Sequence, residues 1–87
     1  MEVVVYSKTV CPYCTQAKAF LKKNEIAFQE INLDDDSERQ KFYESVGAGV
    51  RSVPQIFVDG ERIGGFTELV KSDIVARKQV TSFNEEF

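Results

Sequence analysis

The sequence holds no histidine, only two cysteines and two prolines, and no long hydrophobic run in its 87 residues. Without histidine, Cys–His hydrolase chemistry and imidazole metal ligation are both excluded. A structural zinc site normally takes four Cys or His ligands, and two cysteines do not complete one, so no metal is expected. No stretch is apolar for the 18 or so residues that a membrane span requires. The start, Met1-Glu2-Val3-Val4-Val5, has neither the basic opening nor the apolar length of a secretory signal. A cytoplasmic location is therefore expected, with no membrane partner. Eleven Lys and Arg stand against 14 Asp and Glu, a formal charge of −3. That balance argues against a dedicated nucleic-acid binder, which usually carries a basic stripe.

What remains is globular in composition. Hydrophobic residues make up 43% of the chain, with seven Phe and three Tyr, and the length suits one domain over residues 1–87. No repeat or internal linker interrupts it. Glu2 to Tyr6 is β-branched and reads as a buried first strand. Pro12 fits a first helical position with Cys11 as its cap, and Cys14, Ala17, Phe20 and Leu21 follow at helical spacing until Asn24. Ile26 to Leu33 reads as a second strand. Ser37-Glu38-Arg39-Gln40 has the form of a capping box and opens a helix bearing Phe42, Tyr43 and Val46, ending near Gly47. Gln55 to Val58 and Glu61 to Ile63 flank Asp59-Gly60, a strong hairpin signal. Gly64-Gly65 breaks the chain, and Thr67 is the expected cap of a last helix carrying Leu69, Val70 and Ile74. The segment beyond about residue 77 is polar and receives no assignment. The order β-α-β-α-β-β-α predicts an α/β fold. A parallel strand pair joined by a crossover helix is extended by an antiparallel hairpin into a four-stranded mixed sheet, with helices on both faces.

The chemistry gathers at Cys11-Pro12-Tyr13-Cys14. A disulfide exchanger needs one thiol ionised near neutral pH and a second close enough to resolve the mixed disulfide. At a helix cap, Cys11 would meet backbone N–H groups and the positive end of the helix dipole, both of which favour thiolate. Cys14, one turn in on the core side, stays a neutral thiol. Cys11 therefore attacks and Cys14 resolves. Lys8, just upstream, is a second candidate to stabilise the thiolate. A purely structural disulfide in a ring this small would constrain little chain entropy.

With those residues in view, Lys8-Thr9-Val10-Cys11-Pro12-Tyr13-Cys14 resembles the active-site stretch of the dithiol glutaredoxins. The resemblance continues at Arg51-Ser52-Val53-Pro54-Gln55-Ile56-Phe57 and Gly64-Gly65-Phe66-Thr67. It implies a thioredoxin-like fold, glutathione as co-substrate, and no tightly bound cofactor. It implies a cis Pro54 facing the cysteines, which turns the Val53 backbone outward to pair with an extended peptide. It also implies glutathione contacts at Lys8, Tyr13, Gln40, Arg51, Val53, Pro54, Gly65, Phe66 and Thr67. Lys8, Arg51 and Gln40 would meet the glycine carboxylate, with Arg39 competing for the position of Gln40. Gly65, Phe66 and Thr67 would meet the other end through backbone N–H groups. Glu68 departs from the family pattern, in which Asp often follows.

The resemblance further implies a monomer that reduces protein disulfides and glutathionylated thiols; ribonucleotide reductase is a usual client of such proteins, although no residue here encodes that choice. Three rival readings exist: a redoxin fed by thioredoxin reductase, a [2Fe–2S] carrier built from two chains, and a redox-inert binding module. Gly64-Gly65-Phe66 and Lys8 speak for glutathione against the first. Pro12, where cluster binders usually have a smaller residue, speaks against the second. The intact cysteine pair speaks against the third.

Overall fold

The computed structural model describes residues 1–47 and 49–76. The expected single domain over residues 1–87 and its unassigned tail extend beyond these residues. The elements run β1 (Val3–Ser7), α1 (Pro12–Lys23), β2 (Gln29–Asn32), α2 (Asp36–Val46), β3 (Gln55–Val58), β4 (Glu61–Gly64) and α3 (Phe66–Lys71). The sheet order is β2-β1-β3-β4. β1 pairs parallel with β2 and antiparallel with β3, and β3 pairs antiparallel with β4. This is the mixed four-stranded sheet that the sequence predicts.

The alternation of β1 explains the layering. Val3, Val5 and Ser7 are buried on one face, while Val4 and Tyr6 lie on the other, half-covered. On the buried face, Val3, Val5, Ile56 and Val58 pack with Ala17 and Leu21 of α1, Leu69 of α3, and Ile26 and Ile74. On the opposite face Tyr6 stacks on Phe42 of α2, with ring centroids 4.3 Å apart, and meets Phe57 edge-on at 5.4 Å. Helices thus cover both faces, but unequally: α2 contributes no buried residue.

Local chemistry sets most of the boundaries. α1 begins at Pro12 behind its cap Cys11, and ends at Asn24 with Lys22 and Lys23 in its last turn. Glu25 then takes a left-handed φ of 58°, and Ile26 N–H returns to the Leu21 carbonyl at 2.9 Å, which turns the chain back towards the sheet. The hairpin turn is Asp59-Gly60, both at positive φ, as a two-residue turn of this kind requires.

β1 and β4 each run one residue further than the sequence reading, and larger differences fall at α2, β2 and α3. The cap of α2 is Asp35, whose carboxylate accepts the Glu38 N–H at 2.9 Å; Ser37 already lies inside the helix. The second strand is shorter than Ile26 to Leu33, because Ile26 N–H is still tied back to α1 and pairing with β1 begins only at Gln29. α3 is capped at Gly65, with Thr67 its second residue, and it ends at Lys71 with Ser72 as its C-cap, so Ile74 lies beyond it.

Candidate active site

The end of β1 and the start of α1 hold the cysteine pair. Cys11 is extended, with φ −158° and ψ 100°, and its sulfur accepts the Cys14 N–H at 3.1 Å. Cys14, one turn later on the core-facing side, is 0% exposed. The two are joined as a disulfide, with Cα atoms 5.2 Å apart. The same N–H that faces the Cys11 sulfur in this oxidised state would stabilise a thiolate there after reduction. Around the pair, Tyr13 and Val10 are exposed, by 60% and 87%.

The segment leading into Cys11 is tied down from β2. Thr9 N–H donates to Asp34 Oδ1 at 2.8 Å and its hydroxyl donates to Asp34 Oδ2. Asn32 donates to the same hydroxyl at 3.2 Å and accepts the Asp34 N–H at 2.8 Å. The Thr9 hydroxyl above all, then its N–H, hold the Asp34 carboxyl below the usual range, and the nearby charge of Lys8 adds to the effect. Further in, Glu30 on β2 accepts from Lys18 of α1 at 2.8 Å and from the buried Ser7 hydroxyl at 2.6 Å. Lys18, then Ser7, lower the Glu30 pKa despite some opposing desolvation.

Across from the cysteines, the Val53–Pro54 peptide bond is cis, as the family resemblance implies. The Val53 carbonyl lies 3.6 Å from the Cys11 sulfur. A groove of about 300 Å³ opens beside it, lined by Tyr13, Ser52, Val53, Pro54, Gly65, Phe66, Thr67 and Glu68. Tyr13 and Phe66 stack at 6.2 Å and form an aromatic wall. Gly65 lies across from the Pro54 carbonyl, at a distance where an added Cβ would make an ordinary van der Waals contact.

The structure divides the predicted contact residues. Tyr13, Val53, Pro54, Gly65, Phe66 and Thr67 share this groove. Gln40 and Arg51 share a neighbouring one of about 430 Å³ with Tyr43, Glu44, Gly49 and Val50. Arg51 of this groove directly precedes Ser52 of the first along the chain. Lys8 lines neither groove, and its charge acts instead on the Asp34 carboxyl. Arg39 is committed elsewhere: its guanidinium donates to the Leu33 carbonyl at 2.9 Å and the Asp34 carbonyl at 3.2 Å, and pairs with Asp36.

Ser52 is a groove residue that sequence reasoning did not assign, and Glu68, noted there only as standing where the family often has Asp, lines the groove as well. Glu68 Oε1 accepts the Gly65 N–H at 2.8 Å, so that donor is already engaged at the helix start. The Glu68 side chain also packs against Gly64, which stands at φ +128°; a Cβ there would come within 2.8 Å of Glu68 Cγ. Spacing could have flagged Glu68, three residues after the Gly65 cap, as the reciprocal half of a capping arrangement. Ser52 carries no such signal.

Fold and site together define a thiol–disulfide oxidoreductase of the thioredoxin-like class: a vicinal cysteine pair at a helix start, facing a cis-proline loop. Residues 3–63 match the glutaredoxin family model. The chain is 39% identical over 72 residues to glutaredoxin 3 of Escherichia coli, covering 82% of this chain and 84% of that one. It is 36% identical over 72 residues to a probable glutaredoxin of Synechocystis, covering 83% and 82%. Glutaredoxin 1 from Francisella tularensis, solved with cacodylate, superposes with a TM-score of 0.77 at 42% identity, covering 92% of this chain and 96% of that one. A buckwheat glutaredoxin–glutathione complex gives 0.72 at 30% identity, covering 95% and 76%. The chain belongs to the glutaredoxin family and is a glutathione-dependent thiol–disulfide oxidoreductase.

Proposed function

We propose that the chain reduces protein disulfides and glutathionylated thiols, with Cys11 as the attacking thiolate and Cys14 as the resolving thiol. The observation that carries this assignment is the asymmetry of the pair: the Cys11 sulfur faces the Cys14 N–H at a helix cap beside the groove, whereas Cys14 is wholly buried. The Cys11 thiolate attacks one sulfur of the client disulfide, and the other sulfur leaves as a thiolate. Cys14 loses its proton, attacks the Cys11 sulfur of the mixed disulfide and releases the second client thiolate. The resulting Cys11–Cys14 disulfide is the state seen in this structure. One glutathione thiolate then attacks Cys11 and frees Cys14. A second attacks the glutathione sulfur, frees Cys11 and leaves as oxidised glutathione. Two electrons move in total, from two glutathiones to one client disulfide.

Glutathione lies along the groove as an added strand. Val53 supplies the backbone edge and Pro54 the floor, and Tyr13 and Phe66 flank the sulfur. Gln40 and Arg51 draw the glycine carboxylate, which the groove they share supports; Lys8 joins them on the family resemblance alone. At the other end, Phe66 and Thr67 face the γ-glutamyl group along with Gly65, whose N–H Glu68 already occupies. The cycle is complete within one chain, which supports action as a monomer. No described helix is long and apolar enough to cross a membrane. A cytoplasmic setting supplies the glutathione pool that the cycle consumes. Ribonucleotide reductase enters as a client on family resemblance alone.

The decisive experiment is turnover of a glutathionylated peptide with glutathione, glutathione reductase and NADPH. Cys11→Ser is expected to abolish turnover, while Cys14→Ser keeps it, because the glutathione-linked intermediate needs no second cysteine. Equal loss in both variants would refute the roles assigned to the two sulfurs.

A further inference from the structure

Gln55 is a buried polar residue that the exchange reaction does not use. It opens β3, is 5% exposed, and pairs in register with Tyr6. A buried primary amide must have its donors and its acceptor engaged, or it costs the desolvation of each. Both ends of this one are engaged. Gln55 Nε2 donates to the Ser52 carbonyl at 3.0 Å, and Oε1 accepts from Arg62 NH1 of β4 at 3.2 Å. The first bond spans the loop that contains Val53 and Pro54, and so closes the turn carrying the groove's backbone edge. The second decides which way the amide faces. A guanidinium only donates, so it holds the oxygen towards β4 and leaves the NH₂ for Ser52. Reversed, the amide would set its oxygen against the Ser52 carbonyl oxygen.

We propose that Gln55 and Arg62 form a positioning pair: Arg62 fixes the Gln55 amide, and the amide fixes the Ser52–Val53 backbone at the orientation that receives the peptide edge of the substrate. The inference rests on the glutathione-dependent reading and deepens it, since it names what holds the substrate-pairing strand in place. Neither residue touches substrate or the reacting sulfurs. The effect falls on binding of the mixed disulfide and not on the chemistry of Cys11.

The test is steady-state turnover of a glutathionylated peptide, with thermal melting of each variant alongside. Gln55→Leu keeps the bulk and removes the clamp; it is expected to raise KM for the peptide about tenfold, as loss of one orienting hydrogen bond does, with kcat within about twofold. Arg62 is exposed, so its variants keep the test open should Gln55→Leu fail to fold. Arg62→Glu, which turns the donor into an acceptor and so reverses the amide, is expected to raise KM comparably. Arg62→Lys, still a donor, is expected to restore it. An unchanged KM in Arg62→Glu, or a KM that tracks melting temperature across all variants, would overturn the proposal. Wild-type protein inactive with glutathione would overturn the underlying reading and the proposal with it. Active wild type beside indifferent variants would overturn the positioning pair alone.

Discussion

Glu30 and Asp34 are two carboxylates on or just beyond β2, and each collects hydrogen bonds from the segments that carry the cysteines. Both are held below their ordinary values of 4.5 and 3.8. A carboxyl whose folded-state pKa is lowered favours the fold while ionised. Its contribution is complete above the ordinary value and is lost as pH falls through the lowered one. Stability should therefore decline on acidification below about pH 4.5, first through Glu30 and then through Asp34. The check is the urea midpoint as a function of pH for wild type, Glu30→Gln and Asp34→Asn. Each variant should have a flatter acid limb than wild type, and added salt should weaken the difference, because both groups are substantially exposed. An acid limb unchanged in both variants would place the pH dependence elsewhere.

At this scale legibility followed motif strength. Cys11 and Cys14 were readable because two cysteines around a proline at a helix start have one economical use, whereas Tyr13 and Pro54 entered only through the family resemblance. The parts played by Ser52 and Gln55 were not readable. They depend on where the 52–54 loop brings its carbonyls and on how far a side chain reaches, and neither quantity has a period in sequence.

Among the elements, α1 announced itself most fully, since Pro12 fixes its start and Asn24 its end. α2 was found, but its beginning was misplaced by two residues, for a specific reason. Asp34-Asp35-Asp36-Ser37 offers successive residues of nearly equal capping preference. The choice falls to Asp35 because the chain is already anchored before it: Leu33 N–H reaches the Ser7 carbonyl at 2.7 Å, and Arg39 gathers the carbonyls of residues 33 and 34. Asp35→Ala should therefore destabilise the protein by roughly 0.5–2 kcal/mol, the usual range for losing a side-chain cap. Ser37→Ala, inside the first turn, should change little or slightly stabilise, since Ala is the better helix former. Denaturant titration of the two variants separates the assignments, and the reverse ranking would restore the serine as cap. The last helix follows similar logic, with the Glu68 carboxylate completing a cap that Gly65 itself has no side chain to make.

Across the whole molecule the sheet is loaded unevenly. One face is sealed by Leu21, Leu69 and Ile74 against Val5 and Ile56, all fully buried; the other is covered by α2 through half-exposed aromatics. The cysteine pair, on α1, belongs to the sealed side, and Gln40, on α2, belongs to the open one. Truncation should expose the inequality. Leu21→Ala should cost about 2–5 kcal/mol, which combines lost transfer energy with a cavity that close-packed neighbours cannot fill. For a domain whose total stability is of order 5–15 kcal/mol, that loss approaches unfolding. Phe42→Ala should cost less, about 1–2 kcal/mol, because its ring is already partly in water and loses chiefly its pairing with Tyr6 and Phe57. The same reasoning predicts that amides of α2 exchange through local openings at lower free energy than those of α1 and β1, which should exchange only with global unfolding. Native-state hydrogen exchange resolved by residue tests this directly. Equal protection of α1 and α2 would mean that the aromatic layer binds its helix as firmly as the aliphatic core does, and the ranking of the two truncations would then fail as well.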